Sequence, residues 1–255
     1  MLRYRMIVNA IKTNKITDKN KGLIDFVDKN IKKLSEKSIV VITSKVISIL
    51  EGRIIKKDGI PKAELIASES DQYLVYTNEY CHHEFTLSIK NDLLIPNAGI
   101  DESNAFDHYI LWPKDPYKSA KIIWTYLKNK FKLKFLGVII TDSKTTPLRW
   151  GTTGVSIGYC GFEGLKNYIG KKDIFGKKMI ITKAHIADGL AASAVVAMGE
   201  GKEQTPIAII TDFKNIKFKK TATTKREIEK LKIAINEDIY APLLTGVRWT
   251  VNISN

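Results

Sequence analysis

Three carboxylates stand where the chain changes character. Asp101 lies in the polar stretch NAGIDESN (97–104), Asp142 follows the run FLGVIIT (135–141), and Glu200 follows an alanine-rich segment closed by Gly199. Oxygen donors of this kind suit Mg²⁺ or Mn²⁺, which take one or two protein carboxylates and fill their shell with water and phosphate oxygens. Asp101 and Asp142 would serve equally well as turn caps, and linear spacing does not show whether distant residues converge. Lys45, Arg53 and Arg149 are cations able to hold phosphate or carboxylate, and Arg149 is the stronger candidate because a guanidinium pairs bidentately. For Arg53 a structural ion pair is an equal alternative. Five glycines, Gly151, Gly154, Gly158, Gly161 and Gly164, would let backbone approach a ligand, a second subunit or a neighbouring strand.

Other chemistries lack their residues. Gly201-Lys202 is followed by Glu203 and has no upstream glycine at the required spacing, so there is no P-loop; no G-x-G-x-x-G marks a dinucleotide site. His82, His83, His108 and His185 form neither HExxH nor an i, i+4 pair, which argues against a zinc hydrolase. Cys81 and Cys160 have no partner spacing, against a disulfide framework or a cysteine-based zinc site and in keeping with a reducing cytoplasm. Apolar stretches are too short to span a bilayer, and the lysines of 12–21 stand where a signal peptide needs an apolar run. A soluble cytoplasmic protein is expected.

The elements that must position these groups follow from periodicity. Strands are expected at Arg5 to Ile11, Ser38 to Thr43, Phe135 to Thr141 (ending in Asp142-Ser143), Met179 to Thr182 and Pro206 to Thr211, with Ser44-Lys45 at the end of the second. Leu23, Ile24, Val27, Ile31 and Leu34 mark one helical stripe. Asp115-Pro116 starts another, with Ala120, Ile123, Trp124, Leu127 and Phe131 at helical spacing. Ala187 to Met198 reads as a close-packed helix, Glu227 to Ile235 as a final amphipathic one, and Ala63 to Glu79 as weakly patterned helix. Without strict βαβ alternation the class is α+β, with mixed sheets and flanking helices.

The composition supports a sizeable core: 255 residues, 44% hydrophobic and 27% charged. The formal charge of +14 comes from 41 Lys+Arg, of which only six are Arg. A basic nucleic-acid-binding protein without enzymatic activity is the reading that this charge and the interleaved lysines and aromatics of 117–135 suggest. The helical spacing of Trp124, Leu127 and Phe131 instead buries the aromatics and leaves the lysines as a solvated face.

Several ordered segments resemble one family. SKVISILEGR (44–53), NAGIDESN (97–104), ITDSKTTPLRWGTTGVSIG (140–158), the stretch 170–201 and EQTPIAII (203–210) are similar to the coenzyme F420-0:γ-glutamyl ligases. The likeness spans about 5–212 within a single ligase unit of 1–255, with a C-terminal helical extension over 226–255. It implies a family-specific α+β fold without a Walker motif, working as a homodimer. It also implies nucleoside-triphosphate-driven amide formation, with GTP or ATP as co-substrate, between a cofactor carboxylate and the amine of L-glutamate. Two divalent ions, Mg²⁺ or Mn²⁺, are implied, with K⁺ as a further candidate ion. Asp101 and Asp142 match the ligands of one divalent ion, Ser143 and Glu200 those of a second, and Asn104, Ser44 and Lys45 match nucleotide contacts. The family's N-terminal nucleotide loop falls on 13–17, where its Gly-Leu/Met-Pro pattern is missing and Lys15 is the candidate contact. A family lysine falls on Ile49, and Gly189 follows Asp188 where the family usually has an acidic residue. The ending EDIYAPLLTGVRW and the lack of a fused C-terminal flavin-binding domain resemble a branch proposed to act on folates, so F420-0 and a folate are both expected acceptors. No nucleic-acid or membrane partner is implied.

Overall fold

The computed structural model describes residues 5–17, 22–74, 85–105 and 107–252. In chain order its strands are β1 (Ile7–Ile11), β2 (Ser38–Thr43), β3 (Ile54–Lys56), β4 (Gln72–Tyr73), β5 (Leu87–Lys90), β6 (Leu93–Pro96), β7 (His108–Ile110), β8 (Leu136–Thr146), β9 (Arg149–Cys160), β10 (Leu165–Asn167), β11 (Lys183–His185), β12 (Ile207–Thr211) and β13 (Thr250–Val251). The helices are α1 (Leu23–Asn30), α2 (Ser44–Leu50), α3 (Lys62–Glu69), α4 (Pro116–Lys130), α5 (Ile186–Met198), α6 (Lys225–Glu229) and α7 (Ala241–Leu244).

The run SIVVIT is apolar on both faces, so β2 needs a layer on each side and occupies the middle of a sheet. The sheet order is β1-β12-β2-β8-β9, with β2 and β8 parallel and the other pairs antiparallel. Val40 and Ile42 pack into a core with Val27 of α1 and Ile123 and Leu127 of α4. Ile39 and Val41 pack on the other side against Leu190, Ala191 and Ala194 of α5. A smaller lobe buries Leu65 and Ile66 of α3 against Ala98, Ile100, Tyr109 and Leu111, beside the β3–β7 pair. The class is α+β, as the sequence implied. Among the described residues, no helix is long and apolar enough to cross a membrane.

Helix α4 starts where expected: the Asp115 carboxylate accepts from the Lys118 N–H at 2.8 Å, and Pro116 takes the first helical position. Two glycines bring helices onto the sheet. A Cβ on Gly154 would stand 2.6 Å from the carbonyl oxygen of Ala191, and one on Gly158 2.6 Å from the backbone of Pro116, so α5 and α4 rest directly on β9. The close approach of α5 delivers Glu200, which follows the helix after Gly199, to the hairpin.

Several expectations are corrected. The strand from 135 does not end at Asp142-Ser143. It runs to Thr146, and the glycine-rich segment is its antiparallel partner, with Ser143 opposite Gly154. Thr141, Thr145 and Thr146 are β-competent but polar, so the apolar pattern stops before the strand does. Met179 to Thr182 is no strand; Ile180 and Ile181 are exposed, and the ladder with β10 begins at Lys183. The last amphipathic helix covers only Lys225–Glu229, and among the described residues the expected helical extension continues as short pieces with no buried stripe. Helix α2 grows from the strand end at Ser44, where β-branched residues hid it, and α3 stops at Glu69, residues 75–79 lying outside the described ones.

Candidate active site

The main sheet and the smaller lobe meet at a cleft of about 950 Å³, lined by 13–17, the start of α2, 95–104, the middle of the β8–β9 hairpin and 198–206. Lys15, Lys45, Asp101, Asn104, Asp142, Ser143 and Glu200 all line it. Two expected residues do not. Ser44 is buried, and its hydroxyl holds Asp142 rather than facing the cleft. Arg149 is exposed at the hairpin end, paired with Thr146 and outside the cleft lining, because β8 and β9 extend well beyond Ser143.

Asp101 is fixed by backbone. Its N–H donates to the Ile110 carbonyl and its carbonyl accepts from the Ile110 N–H, each at 2.9 Å, which ties the loop to β7. Its carboxylate accepts from the Ser103 N–H at 2.6 Å through one oxygen and meets the Lys45 ammonium at 2.6 Å through the other. Lys45 also donates to the Ser103 hydroxyl at 2.8 Å. Glu102, next in sequence, points to other partners: Lys57 at 2.7 Å, and Lys62. Those bonds hold its carboxyl below the usual range.

Asp142 projects from the central part of β8. Removal from water pushes its carboxyl up to about 6, the nearby Asp101 charge adds to the rise, and hydrogen bonds from the Trp112 indole, the Ser143 N–H and Ser44 oppose it. Across the hairpin, one Glu200 oxygen accepts from the Ser143 hydroxyl at 2.7 Å and the Thr152 hydroxyl at 3.2 Å. Asn104, at a φ of 55°, donates to the Gly201 carbonyl at 3.3 Å and links the two acidic segments. The Thr13 N–H donates to the Gln204 carbonyl at 2.8 Å, which anchors the segment carrying Lys15 beside them.

Among the described residues, no group of three or more His, Cys, Asp or Glu could hold a metal by itself. The donor set still fits a hard divalent ion: it is all oxygen, it comes as an Asp–Asp and a Ser–Glu pair, and the Lys45 ammonium already occupies one carboxylate as a cation would. Water and phosphate would supply the remaining positions. Of the histidines, His185 caps α5 by accepting from the Asp188 N–H, His108 lies in β7, and His82 and His83 lie outside the described residues, as does Cys81.

Thr152 and Trp112 were not singled out from the sequence. The alternation of a hairpin that pairs Thr145 with Thr152 would have pointed to the first. Nothing local marks the second. Arg53 resolves to the structural alternative: it donates to both Glu69 oxygens at 2.6 and 2.7 Å and to the Trp112 carbonyl at 3.0 Å, while Lys90, itself 8% exposed, meets the same carboxylate at 2.7 Å. Burial works against the Glu69 carboxylate, but the two cations outweigh it and its pKa falls; at Lys90 burial wins and the ammonium is lowered.

A family profile described as F420-0:Gamma-glutamyl ligase matches residues 10–212. A Coenzyme F420:L-glutamate ligase of Methanocaldococcus jannaschii is 34% identical over 194 residues, covering 69% of this chain and 76% of that protein. One of Methanococcus maripaludis is 32% identical over 224 residues, covering 81% and 86%.

Removing Arg53 leaves Glu69 with Lys90 alone in a half-buried position. Arg53→Ala is expected to cost about 3 kcal/mol in urea unfolding, whereas unchanged stability with lost activity would return Arg53 to a substrate-binding role.

Proposed function

The chain belongs to the F420-0:γ-glutamyl ligase family, and we propose that it joins the amine of L-glutamate to a carboxylate of coenzyme F420-0, using a nucleoside triphosphate and divalent metal. The observation that carries the reading is the convergence of Asp101, Asp142, Ser143 and Glu200 on one cleft ringed by lysines. Lys15, Lys45, Lys62 and Lys202 line the same cleft and are suited to the oxygens of a triphosphate.

A carboxylate is a poor electrophile, so it must be activated before an amine can displace anything from it. In the proposed reaction an oxygen of the acceptor carboxylate attacks the γ-phosphorus of GTP, or ATP, and the nucleoside diphosphate leaves. The glutamate amine then attacks the carbonyl carbon, the C–O bond to phosphate breaks, and the amine proton is released. Mg²⁺ or Mn²⁺, when bound, supplies charge neutralisation at the phosphates. Asp101 and Asp142 would hold one ion and Ser143 with Glu200 the other. Lys45 and Asn104, with Lys15 in the same cleft, would orient the nucleotide.

Homodimerisation is part of the proposal. Leu148 and Trp150 project fully exposed from the β8–β9 hairpin, and Ile174, Phe175, Ile180 and Ile181 are exposed in the segment after β10. Apolar projections of this kind suit burial by a second copy. Trp150→Asp and Leu148→Asp are expected to halve the mass measured by sedimentation equilibrium; an unchanged mass would remove the hairpin from the interface.

Mass spectrometry of the purified protein with glutamate, Mn²⁺, GTP or ATP, and F420-0 or tetrahydrofolate tests the activity. F420-0 heavier by one or more glutamyl residues is the expected product. Glutamylation of the folate alone would replace the acceptor, and no product with either would refute the assignment. Asp101→Ala and Asp142→Ala should fold and lose turnover on the order of 10³-fold, and near-normal activity in either would remove it from the metal site.

A further inference from the structure

We infer that Trp112 is a positioning residue for Asp142, and that Ile110 to Trp112 acts as a spacer setting the two aspartates of the cleft against each other. The inference rests on the metal-binding reading of Asp101 and Asp142. The segment grips both at once: Ile110 brackets Asp101 through two backbone hydrogen bonds of 2.9 Å, and two residues on the Trp112 indole N–H donates to Asp142 Oδ2.

The indole has little freedom to do anything else. Trp112 is 1% exposed. Its ring lies so close to Gly99 that a Cβ there would stand 2.1 Å from Nε1, and Gly99 holds a φ of 72°. On the backbone side the Leu111 N–H donates to the Arg53 carbonyl and Arg53 Nε donates to the Trp112 carbonyl, each at 3.0 Å. Lys90, paired with Glu69, sits 5.5 Å from the ring centroid. The Arg53–Glu69–Lys90 cluster thus holds the tryptophan, which holds the carboxylate. A donor fixed in this way selects which Asp142 oxygen remains for an ion. Losing such a partner to a metal-ligating group typically weakens metal binding about 10–100-fold.

Trp112→Phe keeps an aromatic, though smaller, side chain and removes the donor. Free Mn²⁺ measured by electron paramagnetic resonance, with Mn²⁺ as the probe, should show at least about tenfold weaker binding than in the wild-type chain. Trp124→Phe is the control, because the Trp124 indole donates to the Leu136 carbonyl in the core at 2.8 Å; it should destabilise the chain yet leave Mn²⁺ affinity unchanged. Equal affinity in Trp112→Phe and wild type would overturn the inference, as would equal weakening in both variants. A wild-type chain that takes up no Mn²⁺ would refute the metal reading itself and this role with it. Should Trp112→Phe not fold, the wild type labelled with ¹⁵N-tryptophan answers the question. One of its four indole N–H signals should move on saturation with Mg²⁺, and four stationary signals would overturn the role.

Discussion

The constraint on which the structure turns is the approach of two carboxylates, Asp101 and Asp142, in one cleft, where the charge of Asp101 opposes ionisation of the partly buried Asp142. Such an arrangement is unfavourable unless positive charge or fixed donors offset it. Here Lys45 binds Asp101, while Trp112, Ser44 and the Ser143 N–H support Asp142. The Arg53–Glu69–Lys90 cluster lies against the tryptophan from behind.

The two aspartates belong to different kinds of structure. Asp142 rides on β8, which pairs with β2 and β9 and has helices on both faces of its sheet. Asp101 sits in an irregular loop tied by a bridge to Ile110 of β7. Glu200 arrives by a third route, from the end of α5, where Gly154 permits direct helix-to-strand contact. A rigid hairpin with acidic groups delivered from either side is a geometry in which an ion pair or a metal, rather than covalent structure, closes the site.

Much of this was legible in the sequence and some was not. The double-sided apolar run 38–43, the Asp115-Pro116 helix start and the alanine-rich helix announced themselves, because each is determined by local pattern and capping. The NAGIDESN loop, Asp142, Ser143 and Glu200 were identified by residue type and resemblance, and they do line one cleft. The β8–β9 hairpin was only half visible, since its outer part is polar and glycine-rich and its pairing is a property of two segments together. Ser44 and Arg149 fall outside the cleft lining for related reasons. Whether a hydroxyl at a strand end faces the cleft or the carboxylate behind it, and how far a hairpin carries an arginine away, are decided by three-dimensional register. Trp112 left no trace at all, its partner being brought to it by the sheet.

The cleft is proposed to turn a carboxylate into an electrophile by phosphorylating it, and one isotope experiment addresses that directly. Acceptor carrying ¹⁸O in its reacting carboxylate is incubated with the protein, glutamate, Mn²⁺ and GTP or ATP, and the released products are analysed by mass spectrometry. The account predicts inorganic phosphate bearing one ¹⁸O per glutamyl bond formed. Release of pyrophosphate, with the label in the nucleoside monophosphate, would contradict it and show nucleotidyl transfer to the carboxylate instead.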